Sequence, residues 1–148
     1  MWSKSSSLTL SRIMVLLFLL FLTAGSVGLP WLVRWYIGYY GKSLAILTPT
    51  LVSLWSCATL AFAALYYLGK MLKNISREHI FIRENVHALR VISWCCFAVA
   101  LIFLLYFFYY VLGLILSVLA AFIGLILRVV KNVFEQAIEL KEENDLTV

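Results

Sequence analysis

The hydrophobic pattern of the chain is one of long apolar runs broken by short polar patches. The first run, residues 13–33, reads IMVLLFLLFLTAGSVGLPWLV, and the second, residues 44–68, reads LAILTPTLVSLWSCATLAFAALYYL. A third covers residues 91–127 without a single charged residue. About 20 apolar residues in a helix cross a bilayer, so each of the first two runs predicts one span. As one helix the third run would be about 55 Å long, against a hydrocarbon core of about 30 Å. It therefore predicts two spans, 91–109 and 113–130. The turn is expected near YFFYYVLG, where Tyr109 and Tyr110 offer interfacial rings and Gly113 a flexible backbone. The expected fold is all-α: a single integral membrane domain over residues 1–148 with four transmembrane helices. An inner loop is expected at 69–90, and a tail at 131–148 that prolongs the fourth helix.

The start of the chain, MWSKSSSLTLSR, is basic and Ser-rich, and TAGSVG could serve as a cleavage region of a signal peptide. Apolar character continues through Leu29 to Val33, long enough to span, so an uncleaved first helix is the expectation. Pro49 stands near the start of the second run, where a helix tolerates it.

Composition agrees with the pattern: 64% of residues are hydrophobic and 13% charged, with a mean hydropathy of +1.00. Soluble domains sit nearer half apolar and a quarter charged. The net charge of +5 does not point to nucleic acid, because the charges cluster between apolar runs, and direct nucleic-acid binding is not expected. Of the 12 basic residues, Arg34 and Lys42 alone fall on the side opposite the N-terminus. An excess of Lys and Arg marks the cytoplasmic side, so both termini are expected in the cytosol, in a cell membrane. The sequon at Asn74 would then escape glycosylation.

The chemistry expected of the spans is sparse. Apart from Arg128 at the inner end of the fourth, none of the four carries Asp, Glu, Lys, Arg or His, the residues that pumps and proton-coupled transporters keep in the membrane. Ser53, Ser56 and Thr59 share one helical face and read as a packing stripe between helices, with a solute pathway as the alternative. Cys57, Cys95 and Cys96 lie in apolar segments as packing thiols. His79 and His87 have no ligand partners at a recognisable spacing. No phosphate loop, HExxH or GxSxG occurs. No enzyme activity, cofactor or metal is expected.

The informative segments are the inner loop, GKMLKNISREHIFIRENVHALR, and the tail. IFI at residues 80–82 is too apolar for a solvated linker and should either insert at the interface or dock on the protein. A helix is expected from about Asn85 into the third span, with Asn85 as its N-cap. In the tail, Val130, Val133, Phe134, Ala137 and Ile138 share one helical face and Asn132, Glu135, Glu139, Glu142 and Glu143 the other. Carboxylates at a helix C-terminus oppose its dipole and are repelled by an anionic leaflet. The basic loop would relieve both, so loop and tail are expected to dock, with Glu139 and Glu142 against Arg83 and Arg90; a solvated acidic tail is the alternative. The candidate interaction surface comprises Phe81, Arg83, Glu84, Asn85, Leu89 and Arg90 of the loop, with Phe134, Glu139, Glu142, Glu143 and Asn144 of the tail.

FIRENVHALRVIS followed, two spans later, by VFEQAIELKEENDLTV resembles the domain of unknown function 2975 family, the YoaS-like small bacterial four-helix membrane proteins. LKEENDLTV is the most specific part, supported by Phe81, Asn85, Leu89 and Arg90. The resemblance extends over nearly the whole chain but brings no catalytic residue. It implies a cytosolic helix-turn-helix regulator as a partner. The function expected is that of a non-enzymatic membrane protein, regulatory or scaffolding, whose partners are the lipid bilayer and such a cytosolic protein. A small channel or transporter subunit is the alternative, and the oligomeric state stays open.

Overall fold

The computed structural model of the chain describes residues 4–147. Four helices follow one another: α1 (Lys4–Tyr39), α2 (Leu47–Ser76), α3 (Arg83–Tyr106) and α4 (Leu112–Leu146). All four are long and apolar enough to cross a membrane. A single 3-10 turn, Leu44–Ile46, leads into α2, opened by the Ser43 hydroxyl, which accepts from the Ala45 N–H at 3.3 Å.

Local chemistry explains the helix ends. α1 closes on Gly41 at φ +59°, with Lys42 N–H donating to the Ile37 carbonyl at 3.0 Å and Gly41 N–H to Gly38 at 3.4 Å. These two bonds around a left-handed residue form a Schellman closure. α2 ends the same way: His79 N–H reaches Asn74 O at 3.1 Å and Glu78 N–H reaches Ile75 O at 3.1 Å. Here the left-handed position is held by a glutamate, Glu78, at φ 65°. Pro49 falls in the first turn of α2, where its missing N–H has no intrahelical partner to lose. Pro30 lies inside α1 and leaves the Ser26 carbonyl without its usual bond.

The helices extend beyond the apolar runs, so the stretch expected as a long inner loop is helical at both ends; only residues 77–82 are not. The turn joining α3 to α4 is residues 107–111, with α3 ending at Tyr106. Each helix packs on its neighbour in the chain, and α3 against α4 is the most extensive of these contacts. The buried apolar residues follow: Val86, Ala88, Leu89, Ile92, Cys95 and Ala100 of α3 form the largest group, while α1 buries Val33 and Ile37 near one end and exposes most of its length.

The α3–α4 seam is close because α4 meets α3 with small residues. A Cβ on Gly113 would lie 2.8 Å from the Phe103 carbonyl oxygen, and one on Gly124 would lie 3.2 Å from Cys96 Cβ. Gly113 therefore serves close approach, beyond the flexibility its sequence position suggests. Between these glycines the Ser117 hydroxyl crosses to the Ala100 carbonyl at 2.7 Å. Small residues and interhelical hydroxyl bonds are what hold apolar helices together in lipid.

On α2 two hydroxyls of the expected stripe bond within their own helix. Ser56 and Thr59 donate to carbonyls of their own helix, Val52 and Ser56, at 2.7 and 2.8 Å. Within the apolar run, Thr50 of α2 instead reaches across to the Tyr106 phenol at 2.7 Å. That pair sits in an apolar cavity of about 260 Å³ near the end where α3 turns into α4, walled by Val33, Ile37, Leu54, Phe103 and Leu116.

Candidate functional site

At the opposite end of the chain's helices, α2, α3, α4 and the six-residue loop meet and gather most of the charged residues. Asn85 organises the loop. It is fully buried, donates from Nδ2 to the His79 carbonyl at 3.0 Å and the Ile80 carbonyl at 2.7 Å, and accepts at Oδ1 from Asn74 Nδ2 at 3.1 Å. This corrects the expectation of an N-cap. The cap position is Ile82, in extended conformation, and Asn85 lies in the first turn of α3 with its side chain folded back over the loop. Its amide gives two loop carbonyls a hydrogen-bond partner.

Asn74 completes the connection. The same amide that reaches Asn85 also donates to Glu84 at 3.1 Å, and Glu84 pairs with Lys70 at 2.6 Å. The Lys70 hydrogen bond, then that from Asn74, pull the Glu84 carboxyl below its ordinary range, and Glu84 raises Lys70 in return. α2 and α3 are thus joined across the loop by a polar chain of four side chains.

The α4 extension lies against α3 through a mixed seam. Ile138 is buried, the Phe134 ring sits 5.3 Å from the ring of Phe81, and Arg83 pairs with Glu142 at 2.9 Å. Arg90 meets Glu135 at 3.5 Å, and Lys131 meets the same carboxylate at 2.8 Å. Lys131, followed by the positive charges of Arg90 and Arg83, holds Glu135 below the usual carboxylate range. The pairing expected of Arg90 with Glu139 or Glu142 is corrected accordingly: Glu135 is its partner. Glu139 makes no ion pair among the described residues. The clean division of the tail into two faces also fails. Val133 is 56% exposed although placed on the apolar face, whereas Glu135 and Glu142 of the polar face turn to α3. Contact follows positions 134, 135, 138 and 142, a stripe of both kinds of residue.

Between the two helices this leaves an open groove of about 190 Å³. Arg83, His87 and Arg90 line the α3 wall, Glu135 and Glu139 the α4 wall, and Val86 and Ile138 lie between. The His87 ring also stands edge-on to Tyr67 of α2, 5.9 Å between centres. A second, shallower recess continues past Phe81 and Ile82 to Lys141, Glu142 and Asp145. Among the candidate surface residues, Phe81, Arg83, Arg90, Phe134, Glu139 and Glu142 come together along this groove. Asn85 and Leu89 are buried beneath it. Glu84 faces α2, and Glu143 and Asn144 lie beyond, exposed, with their carbonyls accepting from the Thr147 hydroxyl. Sequence reasoning passed over Asn74, His87, Glu135 and Ile138 as members of the site. The helical spacing of Arg83, His87 and Arg90 was available as a signal for one of them.

No group of three or more His, Cys, Asp or Glu among the described residues is placed to hold a metal. The groove sets a positive wall against a negative one, bridged by the Arg90–Glu135 pair, with an apolar strip between them.

Compared with known proteins, residues 38–148 match the family described as Protein of unknown function (DUF2975). The chain belongs to the DUF2975 family. The matched region takes in α2, the loop, α3 and α4, and so contains every residue of the groove, while α1 lies outside it apart from its last two residues. No curated protein and no solved structure matches.

Proposed function

We propose that this DUF2975 member is a non-enzymatic, multi-pass membrane protein that receives a cytosolic protein on its α3–α4 groove. Both termini lie in the cytosol, and the partner class is a regulatory protein of the helix-turn-helix kind. The observation that carries this reading is the groove itself, in which Arg83, His87 and Arg90 face Glu135 and Glu139 across Val86 and Ile138. A surface held in shape by the Asn85 hydrogen bonds below it can present these groups without rearranging. The absence of ionisable side chains from the apolar runs supports placing the activity here rather than within the bilayer. An inner location follows from the distribution of Lys and Arg.

The test is photo-crosslinking in cells from single positions. Probes replace His87 and Glu139, which make no ion pair among the described residues, and Trp31 on the exposed face of α1 serves as control. Crosslinks to a cytosolic protein from the groove positions and not from position 31 are the expected result. If the groove positions yield only copies of the same chain or lipid, the reading fails.

A further inference from the structure

The charged end of the molecule is lopsided. The carboxylates that form ion pairs, Glu84, Glu135 and Glu142, all belong to α3 and α4. Where α1 and α2 meet, Arg12 and Lys73 form no ion pair among the described residues. Arg12 is nonetheless held in place: its Nη2 donates to the Ser76 hydroxyl, which donates in turn to the Lys73 carbonyl at 2.8 Å. This fixes the guanidinium over the last turn of α2, on the side that carries Lys73.

The two cations flank a cavity of about 380 Å³ whose remaining walls are Val15, Leu16, Gly69 and Leu72. Val15 and Leu16 lie three and four residues beyond Arg12 on α1, about 5 Å further into the apolar run. Gly69 keeps the other wall open, since a Cβ built there would meet nothing within 4 Å. A cationic mouth above an apolar trough, at the depth where the apolar runs begin, has the polarity profile of a lipid. We propose that this cavity binds a phospholipid of net negative charge. Its phosphate lies between Arg12 and Lys73, and the first part of an acyl chain runs along Val15, Leu16 and Leu72 over Gly69. Among the described residues no carboxylate lines the cavity to receive the ammonium of a zwitterionic headgroup, which selects for the anionic class. General attraction of basic residues to an anionic leaflet requires only that they be near it; two unpaired cations converging on one apolar trough add a seat. The proposal rests on the membrane-spanning reading of the four helices and is independent of any partner in the α3–α4 groove.

The experiment is native mass spectrometry of the full chain in non-ionic detergent, titrated with phosphatidylglycerol or with phosphatidylcholine of the same chain length. Wild type should retain phosphatidylglycerol with a preference of roughly tenfold or more. Arg12→Gln with Lys73→Gln should bring the preference to about one. Arg34→Gln with Lys42→Gln removes as many charges elsewhere and should leave it intact. Gly69→Leu keeps every charge but fills the trough, and retention of phosphatidylglycerol should fall roughly tenfold, with the thermal melt of the chain unchanged or higher. Three results overturn the proposal: no preference in wild type, the same loss from the Arg34 and Lys42 pair, or full retention in Gly69→Leu. The last would mean that charge attracts lipid without a seat.

Discussion

Asn85 shows how much one buried amide can fix. A residue with no exposed surface spends its three hydrogen bonds on two carbonyls of the loop and on Asn74 of the preceding helix. Replacing it by alanine removes all three, and each such hydrogen bond contributes about 0.5–1.5 kcal/mol net. Asn85→Ala is therefore expected to lower stability by about 2–4 kcal/mol. The same change should accelerate amide hydrogen exchange across residues 77–82, read by mass spectrometry against α4 as the internal reference. Glu78 presents the opposite case. Its left-handed φ of 65° costs a side-chain-bearing residue about 1–2 kcal/mol, and its carboxylate forms no ion pair among the described residues. Glu78→Gly should raise the melting temperature, the gain kept below about 1 kcal/mol by the added freedom of glycine in the unfolded chain. An unchanged or lower melt would show that the carboxylate has a role. Neither role was legible in the sequence. Asn85 stood out as a polar residue at the start of a helix, but its partners are carbonyls five and six residues back, selected by a turn that only the folded loop defines.

Between elements, the seam of α3 and α4 carries the strictest steric demand. Gly113→Ala places a methyl 2.8 Å from a backbone oxygen that cannot swing away, and overpacking of this kind costs about 1–3 kcal/mol. At Gly25 in α1, where nothing lies within 4 Å, the same exchange should be neutral or stabilising by up to about 1 kcal/mol. Thermal melts of the two variants side by side check the contrast. The ion pairs along the seam are worth less. Arg83 and Glu142 have side chains 76% and 54% exposed, and exposed pairs contribute roughly 0–1 kcal/mol. Reversing either partner alone should destabilise within that range, and Arg83→Glu with Glu142→Arg should recover most of the loss; additive losses in the double variant would remove the pair from the account. The apolar runs made the number of spans readable, because length against bilayer thickness leaves few choices. The seam was harder to read. Its glycines and serine recur at helical spacing inside a run dominated by large apolar residues, and the stripe on the tail mixes charge with hydrocarbon where a two-faced pattern was expected.

At the scale of the whole molecule, the polar connections of the loop end set a pH response whose sign follows from the shifts. Glu84 and Glu135 are held below their ordinary value of 4.5. Their contribution is fully present above that value and is lost as pH falls through the lowered one. Lys70 is raised from 10.5, so its share is present below that value and disappears as pH rises through the raised one. The melting temperature in detergent should accordingly be flat between these limits and fall on either side. Lys70→Gln with Lys131→Gln should flatten the acid fall, whereas an unchanged acid limb would assign it to other groups. The family match that begins at residue 38 coincides with the helices that share this network and leaves out α1, which buries little.

α4 runs without interruption from Leu112 to Leu146, a rod about 52 Å long. One end is lodged against the α3 backbone at Gly113, and the other carries the groove. A rod so held has no break at which to bend, so a rotation or shift imposed on its groove end would be carried along the α3 seam rather than absorbed at a kink. An occupant of the groove would then have a mechanical route to the turn on the far face, through 35 residues and without one buried charge in the apolar run.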